Sequence, residues 1–103
     1  MTHETEEKKV PSWLAISDDS AIITLKGAAE FGGIKVDKLT MRAPTVRDTR
    51  AATATAKGDY EQIEINILCS LLGATEKEIA ALTQRNYNRL QAGYFRLVEE
   101  DEL

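Results

Sequence analysis

AIITLKGAAEFGGIKVDKLTM, residues 21–41, is the stretch on which the fold class turns. Its first part, Ala21-Ile22-Ile23-Thr24-Leu25, is short and rich in β-branched residues, which suit a pleated surface. Its second part, Ile34-Lys35-Val36-Asp37-Lys38-Leu39-Thr40-Met41, alternates first around Ile34 and Val36 and then around Leu39 and Met41. The change of phase predicts a bulge or turn near Asp37-Lys38. Gly32-Gly33 lies between the two runs and can supply positive φ for a chain reversal. Residues 21–41 are therefore expected to form a β-hairpin. A phosphate loop is disfavoured, because no helix follows the glycines and no lysine-serine pair accompanies them.

Downstream the pattern turns helical. Pro44 breaks the strand, and Thr45-Val46-Arg47-Asp48 has the spacing of a capping box. The Thr45 hydroxyl can accept from the N–H of Asp48, and the Asp48 carboxylate can reach back to the N–H of Thr45. Aspartate is shorter than the usual glutamate, which makes the second bond the less secure. A helix from Val46 to about Ala56 follows, rich in Ala and Thr and dependent on packing. Lys57-Gly58 ends it. Asp59 caps a helix running to about Leu72, whose apolar positions cover more than half its circumference. It is expected to be central and buried, with Gly73 as its stop. Thr75-Glu76-Lys77-Glu78 is a second capping box, before a short helix through Ile79 and Leu82. Thr83 caps a last helix with the apolar stripe Tyr87, Leu90, Tyr94 and Leu97, and Phe95 and Val98 beside it. Strands first and helices second is the α+β pattern: an N-terminal hairpin followed by a small bundle of about four helices.

Upstream, residues 1–20 read as a flexible N-terminal segment, ending at Ser17-Asp18-Asp19-Ser20. The apolar stretch around Trp13 either packs loosely on the domain or is a docking motif that folds on a partner. Residues 21–98 are expected as a single α+β domain and residues 99–103 as an acidic tail. The polar, acidic start MTHETEEKK is the opposite of a signal peptide, so the cytoplasm is the expected compartment.

The chemistry available is narrow. Of 103 residues one is cysteine and one is histidine, so no internal disulfide can form. Cys69 lies in the apolar run 67–72 and reads as a core thiol, since a nucleophile needs a base and His3 sits in a polar tail. The same shortage excludes a serine–histidine–acid set and leaves no soft-ligand metal site. Asp59, Glu61 and Glu64 could do acid–base work, but acids at a helix start also suit the helix dipole. No nucleotide-cofactor motif is present, so neither a cofactor nor an enzymatic role is expected.

Net charge is −4, unevenly placed. Residues 21–98 hold eleven Lys/Arg against eight Asp/Glu, and the acids concentrate outside them. Arg42, Arg47, Arg50 and Lys57 form one basic set; Arg85, Arg89 and Arg96 form another at helical spacing on the last helix. Each is either a solvated face or a surface for an acidic partner. Nucleic acid is disfavoured, because the charge is not strongly clustered and the aromatics lie on the apolar face.

Taken in order, the hairpin, the segment Leu39 to Asp48, the apolar helix ending Leu71-Leu72-Gly73, the segment Thr75 to Leu82 and then Asn86-Tyr87-Asn88-Arg89-Leu90 resemble the tail assembly chaperones of contractile-tailed phages and Mu-like prophages. In that family a hairpin precedes a segment like L-x-x-R-x-P-T-x-x-D, and a late helix carries an aspartate–aromatic pair. The matching positions here are Leu39, Arg42, Pro44, Thr45, Asp48, Tyr87 and Leu90. Ala43 departs from a position that is often acidic, and Asn86 stands in place of the aspartate. The resemblance implies a non-enzymatic protein of the host bacterial cytoplasm that binds the tape-measure protein and keeps it soluble until the tail tube forms around it. It also brings in the tail tube protein and a frameshift-extended form of the chain as partners, with no membrane. On this reading a helix-rich groove would hold the client, with Arg85, Arg89, Arg96 and Trp13 as partner-binding residues. A small DNA-binding or regulatory protein and a structural tail component are the alternatives. The first is weakened because no recognition helix there carries base-reading Arg, Asn and Gln with a basic flank, and the segment Thr75 to Leu82 has Glu76, Lys77 and Glu78 on its exposed side, which repels phosphate.

Overall fold

A computed structural model describes residues 10–99. His3, most of the polar lead-in and the acidic tail beyond Glu99 lie outside the described residues. Three strands form one antiparallel sheet in the order β1 (Leu14–Ile16), β2 (Ser20–Phe31), β3 (Ile34–Arg42). Four helices follow among the described residues: α1 (Val46–Ala54), α2 (Tyr60–Leu72), α3 (Glu76–Ala80) and α4 (Gln84–Val98). The fold is α+β, as the order of patterns predicts.

The sheet alternates cleanly. Leu14, Ala21, Ile23, Leu25, Leu39 and Met41 point to one face and are buried there. Pairing of Leu14 with Ile23, Ile23 with Leu39 and Ala21 with Met41 brings them into one layer. Ala15, Ile22 and Thr40, on the other parity, are exposed. α2 packs over β3 and α4 over β1 and β2, so one face of the sheet carries the core.

Two local features depart from the sequence pattern. Leu14–Ile16, expected in the lead-in, pairs with Ala21–Ile23 as a strand. Ser17-Asp18-Asp19-Ser20 is the β1–β2 turn, with the Ser17 N–H donating to the Ser20 carbonyl at 2.9 Å and the Ser17 hydroxyl within 3.2 Å of Asp19 Oδ1. The irregularity expected near Asp37-Lys38 is at that level of the hairpin, but the extra residues belong to β2. Thr24 pairs with Lys38 and Ala29 with Val36, so Leu25–Ala28 faces Asp37 alone. Gly27, at φ 82, makes the bend possible without steric cost. At the hairpin end Gly32 and Gly33 have φ 64 and 85, the positive values their pairing predicts.

The expected caps are formed. Thr45 and Asp48 complete the first capping box, the short carboxylate still reaching the Thr45 N–H at 2.8 Å. α1 stops at Ala54, a little before the expected end, in a turn where Lys57 and Gly58 have positive φ. Its terminal carbonyls need partners, and Asn66 of α2 donates to the Ala52 carbonyl at 3.1 Å. Asp59 accepts from the N–H groups of Glu61 and Gln62, and Gly73 closes α2 at φ 67. The second box, Thr75 and Glu78, starts α3. Glu78 has a second role, accepting from the Gly32 N–H at 2.8 Å and so pinning the hairpin tip to α3.

α2 is less uniformly buried than its apolar arc predicts. Ile67, Leu68 and Leu71 reach the core, whereas Ile63 is half-buried and Tyr60 is 86% exposed. The buried residues lie in the C-terminal half of this helix, and its side chains from Tyr60 to Leu68 border an open seam against α4.

Candidate functional site

The seam is built from α4 outward. Asn86, Leu90 and Gly93 recur at i, i+4 and i+7 and are the buried residues of α4. They form the face that meets β1 and β2. Gly93 permits the approach: a Cβ there would lie 3.2 Å from both Cγ1 and Cδ1 of Ile23. Asn86 acts where β1 has ended. Its Oδ1 accepts from the Lys26 N–H at 2.8 Å and its Nδ2 donates to the Lys26 carbonyl at 3.3 Å, so one side-chain amide continues the ladder on β2's open edge. The aspartate expected at this position could accept but not donate, which accounts for asparagine on chemical grounds.

A second face of α4 turns toward α2. Tyr94 and Phe95 from α4, with Tyr60, Ile63, Ile67 and Leu68 from α2, border a groove of about 250 Å³. Phe95 is 58% exposed and Val98, one turn on, 50%. The Tyr94 and Phe95 rings meet edge to face at 5.7 Å. Glu64 is the one charged residue on the lining. Its carboxylate is held from α4: Oε1 accepts from the Tyr87 hydroxyl at 3.1 Å and Oε2 from the Gln91 amide at 2.8 Å. Burial, and then the charge of Glu64, push the Tyr87 phenol well above its ordinary range, so it stays a proton donor in this bond. The result is an apolar groove with a fixed carboxylate on its wall.

The basic residues lie elsewhere. Arg85 and Arg89 join Trp13, Asn88 and Ala92 around a shallow depression of about 530 Å³ beside β1. Arg89 is half-buried there, donating to the Thr24 carbonyl at 2.7 Å with its guanidinium 4.8 Å from the Trp13 ring centroid. Arg96 sits apart with Ile16, Asp18 and Leu97, its Nε 3.3 Å from Glu99. Trp13, Arg85 and Arg89 are thus brought together, Arg96 is separated from them, and none of the four lines the α2–α4 groove. A basic rim around that groove is therefore not what the fold builds.

The remaining singled-out residues do fold-level work. Arg42 donates to both carboxylate oxygens of Asp48, at 2.7 and 2.9 Å. That fork, with the Thr45 N–H, holds the Asp48 carboxyl well below the usual carboxylate range. Pro44 is half-buried ahead of the cap, and Leu39 and Leu90 belong to the core cluster. Asp59 caps α2 and Glu61 lies in its first turn. Burial, and then Glu76 and Glu78, push the Cys69 thiol up, away from the reactive thiolate. Among the described residues no group of three or more His, Cys, Asp or Glu side chains could hold a metal ion. No helix among them is long and apolar enough to cross a membrane.

Residues 22–99 match the profile of a family described as phage tail assembly chaperone proteins, E, or 41 or 14. No curated protein and no solved structure gives a significant match.

Proposed function

The chain belongs to this phage tail assembly chaperone family, and on that premise we propose that it is a non-enzymatic chaperone of the host cytoplasm that binds a helical segment of the tape-measure protein and keeps it soluble during tail assembly. The observation that carries the reading is the α2–α4 groove. Two aromatic residues border it largely uncovered, Tyr60 and Phe95, and they stand together with Ile63, Ile67 and Leu68 in one apolar seam, whereas Ile34 and Val46, also exposed, lie outside it. Exposed apolar surface costs solubility and marks a place where another surface is received. A seam between two helices suits the apolar stripe of a third, the helix-in-groove mode of recognition. A long client rich in such stripes would aggregate through them if they were left in water.

The tail tube protein and a frameshift-extended form of the chain remain further partners on this reading. The DNA-binding alternative gains little: α3 is five residues long, and Glu78, on its face, is bound to the hairpin. Co-expression with the tape-measure protein tests the proposal. The expected outcome is a higher soluble yield of that protein and a complex recovered on the tagged chaperone. If the tape-measure protein stays insoluble and no complex forms, while duplex DNA binds with a steep salt dependence, the regulatory reading replaces it.

A further inference from the structure

We propose that the groove takes an amphipathic helix carrying a lysine or arginine beside its apolar anchors, and that Glu64 is the residue that selects it. This rests on the proposed binding of a helical client in the groove and names the client's chemistry. Glu64 is the only charged side chain on the lining. It is not a loose surface acid: Tyr87 and Gln91 each donate to a different carboxylate oxygen and fix the group between α2 and α4. A carboxylate oxygen has two acceptor positions, so each oxygen keeps one for a partner.

No arginine or lysine lines the groove to neutralise this charge. Arg89 is engaged with Thr24 and Trp13 on the other side of α4, and Arg96 lies beside Glu99. When an apolar helix fills the groove, water leaves Glu64. A client that offers only methyl groups strands a carboxylate in a dry site, which is costly. A client that offers an ammonium or guanidinium replaces the lost water with a charge-assisted bond. Glu64 therefore rejects fully apolar and acidic stripes and accepts basic ones, so that specificity comes from the penalty on wrong partners as much as from attraction to the right one.

Overlapping synthetic peptides tiling the tape-measure protein, titrated against the whole chain, test this. Bound peptides are expected to carry Lys or Arg within one helical turn of an apolar stripe. Glu64→Gln should weaken their binding roughly tenfold and flatten its salt dependence, and Glu64→Lys should abolish it until the peptide's basic residue is changed to Glu. If Glu64→Gln binds with unchanged affinity and salt dependence while Phe95→Ser does not bind, selection by Glu64 is overturned and the chaperone reading stands. If neither a peptide nor the full-length tape-measure protein binds the wild type, both fall. If the chain instead forms dimers that Phe95→Ser dissociates, the groove is an interface between copies and the proposal is overturned. Should Glu64→Gln loosen the fold, the salt titration of the wild-type complex still decides: an affinity for the basic peptides that does not fall with salt overturns the proposal.

Discussion

Toward the sheet, α4 sets a leucine, an asparagine and a glycine into a surface that leaves them no room; toward α2, the same helix sets tyrosine and phenylalanine beside a gap. Leu90 has no exposed surface, Gly93 lies against Ile23, and Asn86 exchanges two hydrogen bonds with Lys26. One face away, α2 and α4 are joined by side chains, chiefly Glu64 with Tyr87 and Gln91, and the groove opens beside that tie. The lesson is that one amphipathic helix can serve two purposes. Its small and amide residues fix its place on the sheet, and that fixed placement leaves Phe95 exposed beside the groove. An open groove of this kind needs a rigid support, since a helix free to roll would close the gap with its own side chains.

The largest expected effect lies on the sheet side. Leu90→Ala removes a fully buried side chain at the centre of the core cluster, and should lower stability by about 2–5 kcal/mol in urea denaturation. A loss below about 0.5 kcal/mol, ordinary for a surface position, would break the comparison, because α4 would then not be anchored where the packing places it. Asn86→Ala comes next. It leaves both the N–H and the carbonyl of Lys26 without their partner, at a cost of about 2 kcal/mol. Amide exchange at Lys26 should speed up more than exchange at the paired residues Ile22 and Ile23. Asn86→Asp should also destabilise, since a carboxylate cannot donate to the carbonyl. An Asp variant as stable as the wild type would show that the second bond contributes nothing.

How much of this was legible in residue types alone follows from the same contrast. The hairpin was, because Gly32-Gly33 separates two runs of strand-forming residues and no other residue takes φ 64 and 85 in succession so cheaply. The helix starts were, because Thr45, Asp59, Thr75 and Thr83 act on N–H groups two or three residues away, within the reach of a local pattern. β1 was not: three residues give almost no alternation to read, and their strand character comes from pairing with Ala21–Ile23. The groove was hidden for a related reason. Helical spacing tells which residues share a face, and Tyr60, Ile63, Tyr94 and Phe95 have the spacing of core residues. Whether another element covers that face depends on how far apart α2 and α4 stand on the sheet. Gly93 and Asn86, small or polar within an apolar pattern, were the available hint of close approach. Arg89 misled in the opposite sense, since its charge suggests solvent while its contacts are with Thr24 and Trp13.

A change that touches neither face of α4 supplies the scale for both. Thr45→Ala removes the hydroxyl that accepts from the Asp48 N–H and should cost about 1 kcal/mol, read as a lower denaturation midpoint. The same corner sets a pH dependence. Asp48 is held low by Arg42 and the Thr45 N–H, so its contribution is complete at neutral pH. It begins to be lost as pH falls below the unfolded carboxyl's value of about 4, and the loss continues toward the lower folded value. Asp48→Asn should be less stable at pH 7 and should flatten that part of the acid-unfolding curve. An unchanged curve would show that the Arg42 fork contributes nothing in solution.

The smallest expected effect on stability belongs to the residue expected to matter most for binding. Phe95 is more than half exposed and makes its closest ring contact with Tyr94, a neighbour in sequence. Replacing it by serine removes apolar surface that is mostly in water already, so stability should change by less than about 0.5 kcal/mol. Capture of the tape-measure protein should nonetheless fall steeply, because an aromatic beside a helix groove is the type of side chain that dominates binding energy. Leu90→Ala gives the opposite result at sub-denaturing temperature: a large loss of stability, with binding by the folded fraction retained. The two variants measured together test the division of α4 into a supporting face and a receiving face. If Phe95→Ser proves as destabilising as Leu90→Ala, the seam is closed in solution and Phe95 is a core residue. If it is neutral for both stability and capture, the client sits elsewhere, and the depression around Trp13, Arg85 and Arg89 becomes the surface to test.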